Sequence, residues 1–276
     1  MTQIFDLSGK VAIVTGANTG IGQAIALSLA AAGANIAAVG RTPAEETVAQ
    51  VHALGRRAEI ISADLSSIEP VQRVVDETIE KLGRLDILVN NAAAVYPDAL
   101  MAPGGFWEKP LKLSDMIDVG LRSNYVAAYY ASPMMVAAKR GLIASISFYG
   151  SVSYFHGAAY GAAKAGTDKM MRDMAVDLAP HNVAAVSIWP GFILTDAVKA
   201  IPPEFLPEDL RANLPNWETP EFTGLVIDAL ARDPDIMSLS GQALIGAELG
   251  ERYRIVDLDG KQPISYRATM GAPANH

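Results

Sequence analysis

The sequence has no cysteine, which removes disulfides, thiolate catalysis and cysteine-ligated zinc from the possibilities; it fits a reducing compartment without requiring one. Histidine is scarce, and His52, His156, His181 and His276 show no spacing suited to a metal. Basic residues are outnumbered, 22 Lys+Arg against 30 Asp+Glu, for a net charge of −8. That balance argues against nucleic acid or an anionic membrane as a partner. Although 50% of residues are hydrophobic, no apolar run reaches the ~18 residues of a membrane span. The apolar content therefore belongs to buried strands, helices and subunit contacts. The first ten residues carry Asp6 and lack a basic stretch followed by a long apolar one, so they do not read as a signal peptide. A cytoplasmic protein is expected.

What the chain does have is a repeated rhythm. Short, β-branched apolar runs at 11–14, 35–39, 58–61, 85–89, 142–146 and 183–188 suit strands buried on both faces, with a later one at 242–245. Most are separated by stretches of helical spacing such as 21–32 and 70–82. Strand, helix, strand in repetition predicts an α/β fold, a doubly wound parallel sheet with helices on both faces, because parallel neighbours need crossovers. At 276 residues a single domain over 1–276 is expected. Residues 96–110 read as a loop or short insertion before a long helix at 114–139. The proline-rich stretch 201–220, within a substrate loop near 194–220, reads as a mobile cover over a cleft. The extension 247–276 reads as polar and partly irregular from Gly250 on. There is no internal repeat.

Two segments carry chemistry. Thr15-Gly16-Ala17-Asn18-Thr19-Gly20-Ile21-Gly22 follows the first strand and opens a helix. Glycines there let backbone N–H groups approach a pyrophosphate, and the helix start supplies unsatisfied donors. Tyr160-Gly161-Ala162-Ala163-Lys164 places a phenol and an ammonium on one helical face. A free phenol has a pKa of about 10, and a neighbouring ammonium favours its phenolate. The pair is a candidate general acid–base. After the second strand comes Gly40-Arg41-Thr42, where a carboxylate would bind the ribose 2′-hydroxyl of NAD. Arg41 can instead grip a 2′-phosphate, which predicts NADP(H) as the preferred cofactor with NAD(H) possible.

These segments, with Asp64-Leu65, Asn90-Asn91-Ala92-Ala93, Asn124 and Pro190-Gly191-Phe192-Ile193-Leu194-Thr195, resemble the short-chain dehydrogenase/reductase family in the right order over roughly residues 7–247. The resemblance implies a seven-stranded Rossmann-type sheet and a glycine turn of this spacing. It implies cofactor contacts from Gly16, Asn18, Thr19, Gly20, Ile21, Gly22, Arg41, Asp64, Leu65, Asn91, Ala92, Pro190, Gly191, Ile193 and Thr195. Within that set Asp64 would contact adenine, Asn91 would steady the central strand, and Ile193 with Thr195 would hold the carboxamide. Tyr160 would be the acid–base, Lys164 would also bind the nicotinamide ribose, and Asn124 would hold a water relay to the lysine. Read by themselves, Asp64 also fits a helix N-cap and Asn124 a buried hydrogen-bonded residue.

The chain departs from the family at the serine that orients the substrate oxygen. Aligned on the strand, Phe148 takes that place; counted back thirteen residues from Tyr160, Ser147 does. Side chains alternate along a strand, so the two should point in different directions. The expectation adopted is Ser147, with Ser151 or no hydroxyl as alternatives. His156 and the aromatics Tyr149, Tyr154 and Phe155 are candidates to line the cleft. The resulting expectation is an oxidoreductase moving hydride between a nicotinamide and a secondary alcohol or ketone. The alternative is a catalytically impaired nucleotide-binding sensor or scaffold. The apolar helices at 119–138 and 162–178 predict self-association as a homotetramer or homodimer.

Overall fold

The fold was analysed in a computed structural model, which describes residues 6–202, 206 and 208–273. Residues 1–5, Pro203 in the proline-rich stretch and His276 fall outside the described residues.

The chain runs β1 (Val11–Thr15), α1 (Gly20–Ala31), β2 (Asn35–Gly40), α2 (Glu45–Ala53), β3 (Ala58–Ser62), α3 (Ile68–Leu82), β4 (Ile87–Asn90) and α4 (Pro97–Met101). It continues through α5 (Asp115–Ile117), α6 (Ser123–Ala138), β5 (Gly141–Ile146), α7 (Ala158–Leu178), β6 (Val183–Trp189), α8 (Asp196–Lys199) and α9 (Glu208–Asn213). It closes with α10 (Pro220–Arg232), β7 (Ala243–Ile245) and α11 (Gly246–Tyr253). All seven strands pair in parallel, in the order β3-β2-β1-β4-β5-β6-β7. This is the expected doubly wound Rossmann-type sheet, and each predicted strand lies within a residue or two of its observed position.

Alternation along the strands divides the core. Val11 and Ile13 face a layer from α3, α6 and α7, including Val74, Val75, Ala131, Met135 and Met171. Ala12 and Val14 face the opposite layer, with Ile25 and Leu29 of α1 and Val226 and Leu230 of α10. Burying each such aliphatic side chain contributes about 1.5–3 kcal/mol before entropy is charged. Helix α7 turns Ala163, Lys164, Thr167, Met171, Ala175 and Leu178 inward, a three-and-four spacing that fixes which face meets the sheet. Among the described residues no helix is long and apolar enough to cross a membrane.

One expectation needs correction. The helix expected over 114–139 is broken: Val119 (φ −109, ψ 77) and Gly120 (φ 158, ψ −19) leave helical geometry, and α6 begins only at Ser123. The freed Gly120 carbonyl accepts from Asn124 Nδ2 at 2.8 Å and from Thr167 Oγ1 of α7 at 3.0 Å, so the break is satisfied by side chains. The polar tail, for its part, packs back onto the body. Tyr266 is buried with Phe148, Tyr149, Trp189, Ile245 and Ala247 in a third apolar cluster. Arg267 makes a two-pronged ion pair with Glu248, at 2.8 and 2.7 Å, that holds the tail there.

Candidate functional site

The sheet reverses its winding at β1, which has β2 on one side and β4 on the other. Such a switch point opens a crevice beyond the carboxyl ends of the strands. Every predicted site residue lies in the loops or helix starts at that end.

The glycine turn forms one wall. Gly16 and Gly20 have φ of 67 and 56°, left-handed values that a side chain would strain. A Cβ on Gly22 would stand 2.1 Å from the Gly16 carbonyl oxygen. Thr19 occupies the N-cap of α1 but makes no side-chain cap bond. The first N–H groups of α1 are therefore not capped by that side chain. Asn91 braces the turn by donating from Nδ2 to the Thr15 carbonyl at 2.9 Å, while Thr15 Oγ1 accepts from the Asn91 and Ala92 N–H groups at 2.9 and 3.0 Å.

A cavity of about 280 Å³ continues from the turn, lined by Gly16, Asn18, Arg41, Asp64, Leu65 and Ala92, with Tyr96 across it. Asp64 accepts from the Ser66 N–H at 3.0 Å, and these Ser66 hydrogen bonds, with the charge of Arg41, hold its carboxyl below the usual range. Asp64 is not the helix N-cap, a position held by Ser67. On the opposite wall Thr195 caps α8, accepting from the Val198 N–H at 3.3 Å. Its methyl would lie 3.6 Å from a Cβ on Gly20. Ile193 bridges to Glu218, and Pro190 and Gly191 are buried where β6 ends. This set fits a dinucleotide, since a cradle that a single Cβ would fill is what close backbone approach to a pyrophosphate requires.

Tyr160 lies in the first turn of α7, and Lys164 follows one turn later with its ammonium 5.5 Å from the phenol ring centroid. Lys164 is only 9% exposed and donates from Nζ to the Ile146 carbonyl at 2.9 Å. Burial pushes its pKa down to about 8, against the opposing pull of Asp168. Burial also pushes the Tyr160 phenol up, the reverse of the lowering expected from the lysine. Desolvation of the phenolate outweighs an ammonium that is itself desolvated. Asn124, next to the break at Gly120, spends its amide on the Gly120 carbonyl.

The serine question resolves geometrically. Ser147 is 2% exposed, and its hydroxyl donates to the Lys164 main-chain carbonyl at 3.2 Å. That bond directs its proton to the main chain of α7. Ser151 borders a different cavity with Asp168 and Arg172. Phe148 is the residue whose ring meets Tyr160, centroids 6.5 Å apart, and it also packs on Phe155 and Phe192 at 5.0 and 5.7 Å. Phe192 in turn stacks on Trp217 at 5.3 Å and meets Tyr266 edge-on at 5.0 Å. His156 stands edge to face against Tyr160 at 5.1 Å. Tyr154 points outward and is almost fully exposed, so it is no part of this wall.

Three residues here had no readable signal. Trp217 and Glu218 sit in the proline-rich stretch, and Tyr266 is a lone aromatic in a polar tail. Glu218 is 1% exposed, its carboxylate packs against Gly191, and burial raises its pKa to about 8. Among the described residues no group of three or more histidines or acids is placed to hold a metal.

The geometry has counterparts in known proteins. A family model described as short chain dehydrogenase matches residues 10–204. The chain is 37% identical to "Dehydrogenase/reductase SDR family member 1" of Mus musculus over 271 residues, 94% of this chain and 87% of that protein. It is equally similar, at 37% over 281 residues, to the Homo sapiens protein of the same description, covering 98% of this chain and 90% of that one. A solved 7α-hydroxysteroid dehydrogenase, complexed with NADH and 7-oxo glycochenodeoxycholic acid, matches the fold with a TM-score of 0.77 at 28% identity, over 94% of this chain and 97% of its own.

Proposed function

The chain belongs to the short-chain dehydrogenase/reductase family of oxidoreductases, and from that premise we propose that it is an NADP(H)-preferring carbonyl reductase or alcohol dehydrogenase acting on a ketone or secondary alcohol. The observation that supports this reading is that Tyr160 and Lys164 stand one turn apart at the start of α7, with the Lys164 ammonium 5.5 Å from the phenol ring.

The glycine turn and the start of α1 hold the pyrophosphate, Arg41 the 2′-phosphate, Asp64 the adenine end, and Ile193 with Thr195 the carboxamide. When bound, the nicotinamide supplies or accepts the hydride. Tyr160 Oη gives its proton to the carbonyl oxygen in reduction and takes it back in oxidation. Lys164 Nζ, fixed on the Ile146 carbonyl, keeps a positive charge beside the ring. Burial by itself raises the phenol, and the positive charge that an oxidised nicotinamide would supply when bound would act with Lys164 to favour the phenolate. The Phe148, Phe192 and Trp217 rings exclude water from the reacting carbon. Tyr125 and Tyr129 of α6 and Val176 of α7, each more than half exposed, support self-association through these helices as a dimer or tetramer.

The test is turnover of a panel of ketones and secondary alcohols with NADPH, NADH and their oxidised forms, and sedimentation of the protein at micromolar concentration. Turnover with NADPH favoured over NADH is expected, from an oligomer. The commitment of Ser147 to the main chain favours a second reading, a nucleotide-binding sensor with impaired catalysis. Tight NADPH binding without turnover of any member of the panel would select it.

A further inference from the structure

A carbonyl oxygen that meets only one phenol is free to swing about that single hydrogen bond, so hydride transfer needs a second donor to fix its direction. The polar groups around Tyr160 can be taken in turn. Ser147 Oγ is spent on the Lys164 carbonyl, Lys164 Nζ on the Ile146 carbonyl and Asn124 Nδ2 on the Gly120 carbonyl. Ser151 Oγ makes no hydrogen bond to another described residue but borders another cavity, and Phe148 offers only a ring. His156 remains.

Its position is built. The imidazole lies 5.1 Å from the Tyr160 ring, at 88°, and packs on Phe155 at 4.0 Å. His156 holds φ at +58°, a left-handed value that costs a non-glycine residue about 1 kcal/mol, and Gly157 follows at +86°. That backbone turns the side chain back over the start of α7. The imidazole makes no hydrogen bond to another described residue. Burial and the Lys109 ammonium both push its pKa down, so at neutral pH it is uncharged, with one N–H to donate. Two hydrogen bonds of about 2.8 Å converging on one oxygen let their donors stand as much as about 5.6 Å apart, so a donor on a ring packed against Tyr160 is the kind of partner the oxygen requires.

We propose that His156 donates the second hydrogen bond to the substrate oxygen held by Tyr160, and that the substrates are apolar ketones or the matching secondary alcohols, in keeping with the Phe148, Phe155 and Phe192 rings gathered about Tyr160. This rests on the carbonyl reductase reading above.

The experiment measures NADPH-dependent reduction of 9,10-phenanthrenequinone, a planar aromatic diketone, by wild type, His156→Phe, His156→Asn and the double variant Phe148→Ser/His156→Phe. NADPH affinity and thermal unfolding are recorded for each. His156→Phe keeps a ring but no donor, and is expected to lower kcat/KM about tenfold or more with NADPH affinity unchanged. His156→Asn, whose amide donates and which tolerates a left-handed backbone, should retain more activity. Phe148→Ser in the His156→Phe background should recover a substantial part of the loss, a result that a purely structural histidine would not give. Activity of His156→Phe within twofold of wild type, or a loss that follows thermal stability and is not relieved by Phe148→Ser, overturns the role of His156 and leaves the reductase reading standing. A wild type that binds NADPH and turns over other members of the ketone panel but none of the diketone overturns the proposed substrate class, whereas failure on the whole panel removes the reductase reading as well.

Discussion

The half of the crevice beside the glycine turn is built from main chain and small side chains, whereas the half around Tyr160 is built from aromatic rings brought from four places in the sequence. The first half is local. Gly16, Gly20 and Gly22 act through φ values and missing Cβ atoms, and Asn91 ties the turn to β4 through backbone bonds. The second half is assembled by tertiary packing, with Phe148 after β5, Phe155 and His156 before α7, Phe192 and Trp217 after β6, and Tyr266 from the tail. Close approach of a pyrophosphate to main-chain N–H groups calls for glycines at a strand-to-helix turn of this kind. The surroundings of Tyr160 have no such constraint, and here they hold rings where an orienting hydroxyl was expected.

That contrast can be broken by substitutions on either side. The largest expected effect is on chemistry: Tyr160→Phe should reduce kcat by about 10²–10⁴-fold while leaving NADPH affinity close to wild type, read by steady-state assay and fluorescence titration. Gly22→Ala should do the opposite. Its Cβ would meet the Gly16 carbonyl oxygen at 2.1 Å, so the turn must shift. NADPH affinity and, with it, kcat/KM should fall about 10²-fold, and stability by about 1–3 kcal/mol.

Smaller effects separate the two buried charges of the aromatic half by pH. The Glu218 carboxyl is raised to about 8 in the folded protein, so between pH about 4.5 and 8 the folded chain holds a proton that the unfolded chain has lost, and stability declines as pH rises. Lys164 is lowered to about 8, so from pH 8 to about 10.5 the unfolded chain holds the extra proton, and stability climbs with pH. Glu218→Gln should flatten the lower limb of a melting temperature against pH curve, and Lys164→Met the upper limb. Each change corresponds to about 1–3 kcal/mol at the minimum near pH 8. The smallest expected effect is at the rim: Arg41→Ala should weaken NADPH about tenfold and leave NADH unchanged.

The same contrast explains what was legible in the sequence. Strands buried on both faces reveal themselves as short β-branched runs, and the parallel order follows from the helices between them, so the sheet could be read nearly to its ends. The break at Val119 and Gly120 could not, because it is stabilised by Thr167, 47 residues away in α7. Gly16 and Gly20 stood out through a turn whose φ values are set by local backbone, and Asn91 and Lys164 through motifs even though their partners Thr15 and Ile146 are distant in sequence. Ser147 did not, because one residue of register decides whether a hydroxyl faces the cleft or, as here, the Lys164 carbonyl. Glu218, Trp217 and Tyr266 acquire their place only when the segment at 190–218 and the tail close over β6 and β7, and nothing local in their sequence marks that contact.

The central claim, that Tyr160 serves hydride transfer between a nicotinamide and a carbonyl carbon, is tested most directly by isotope. NADPH carrying deuterium at the transferred position is incubated with 9-fluorenone, a planar aromatic ketone whose alcohol keeps the transferred hydrogen on carbon, and deuterium is read at the new carbinol carbon by mass spectrometry. The account predicts label at that carbon with the wild type and, over the same interval, almost none with a Tyr160→Phe variant that still binds NADPH. Label appearing at equal rates with both proteins would contradict it.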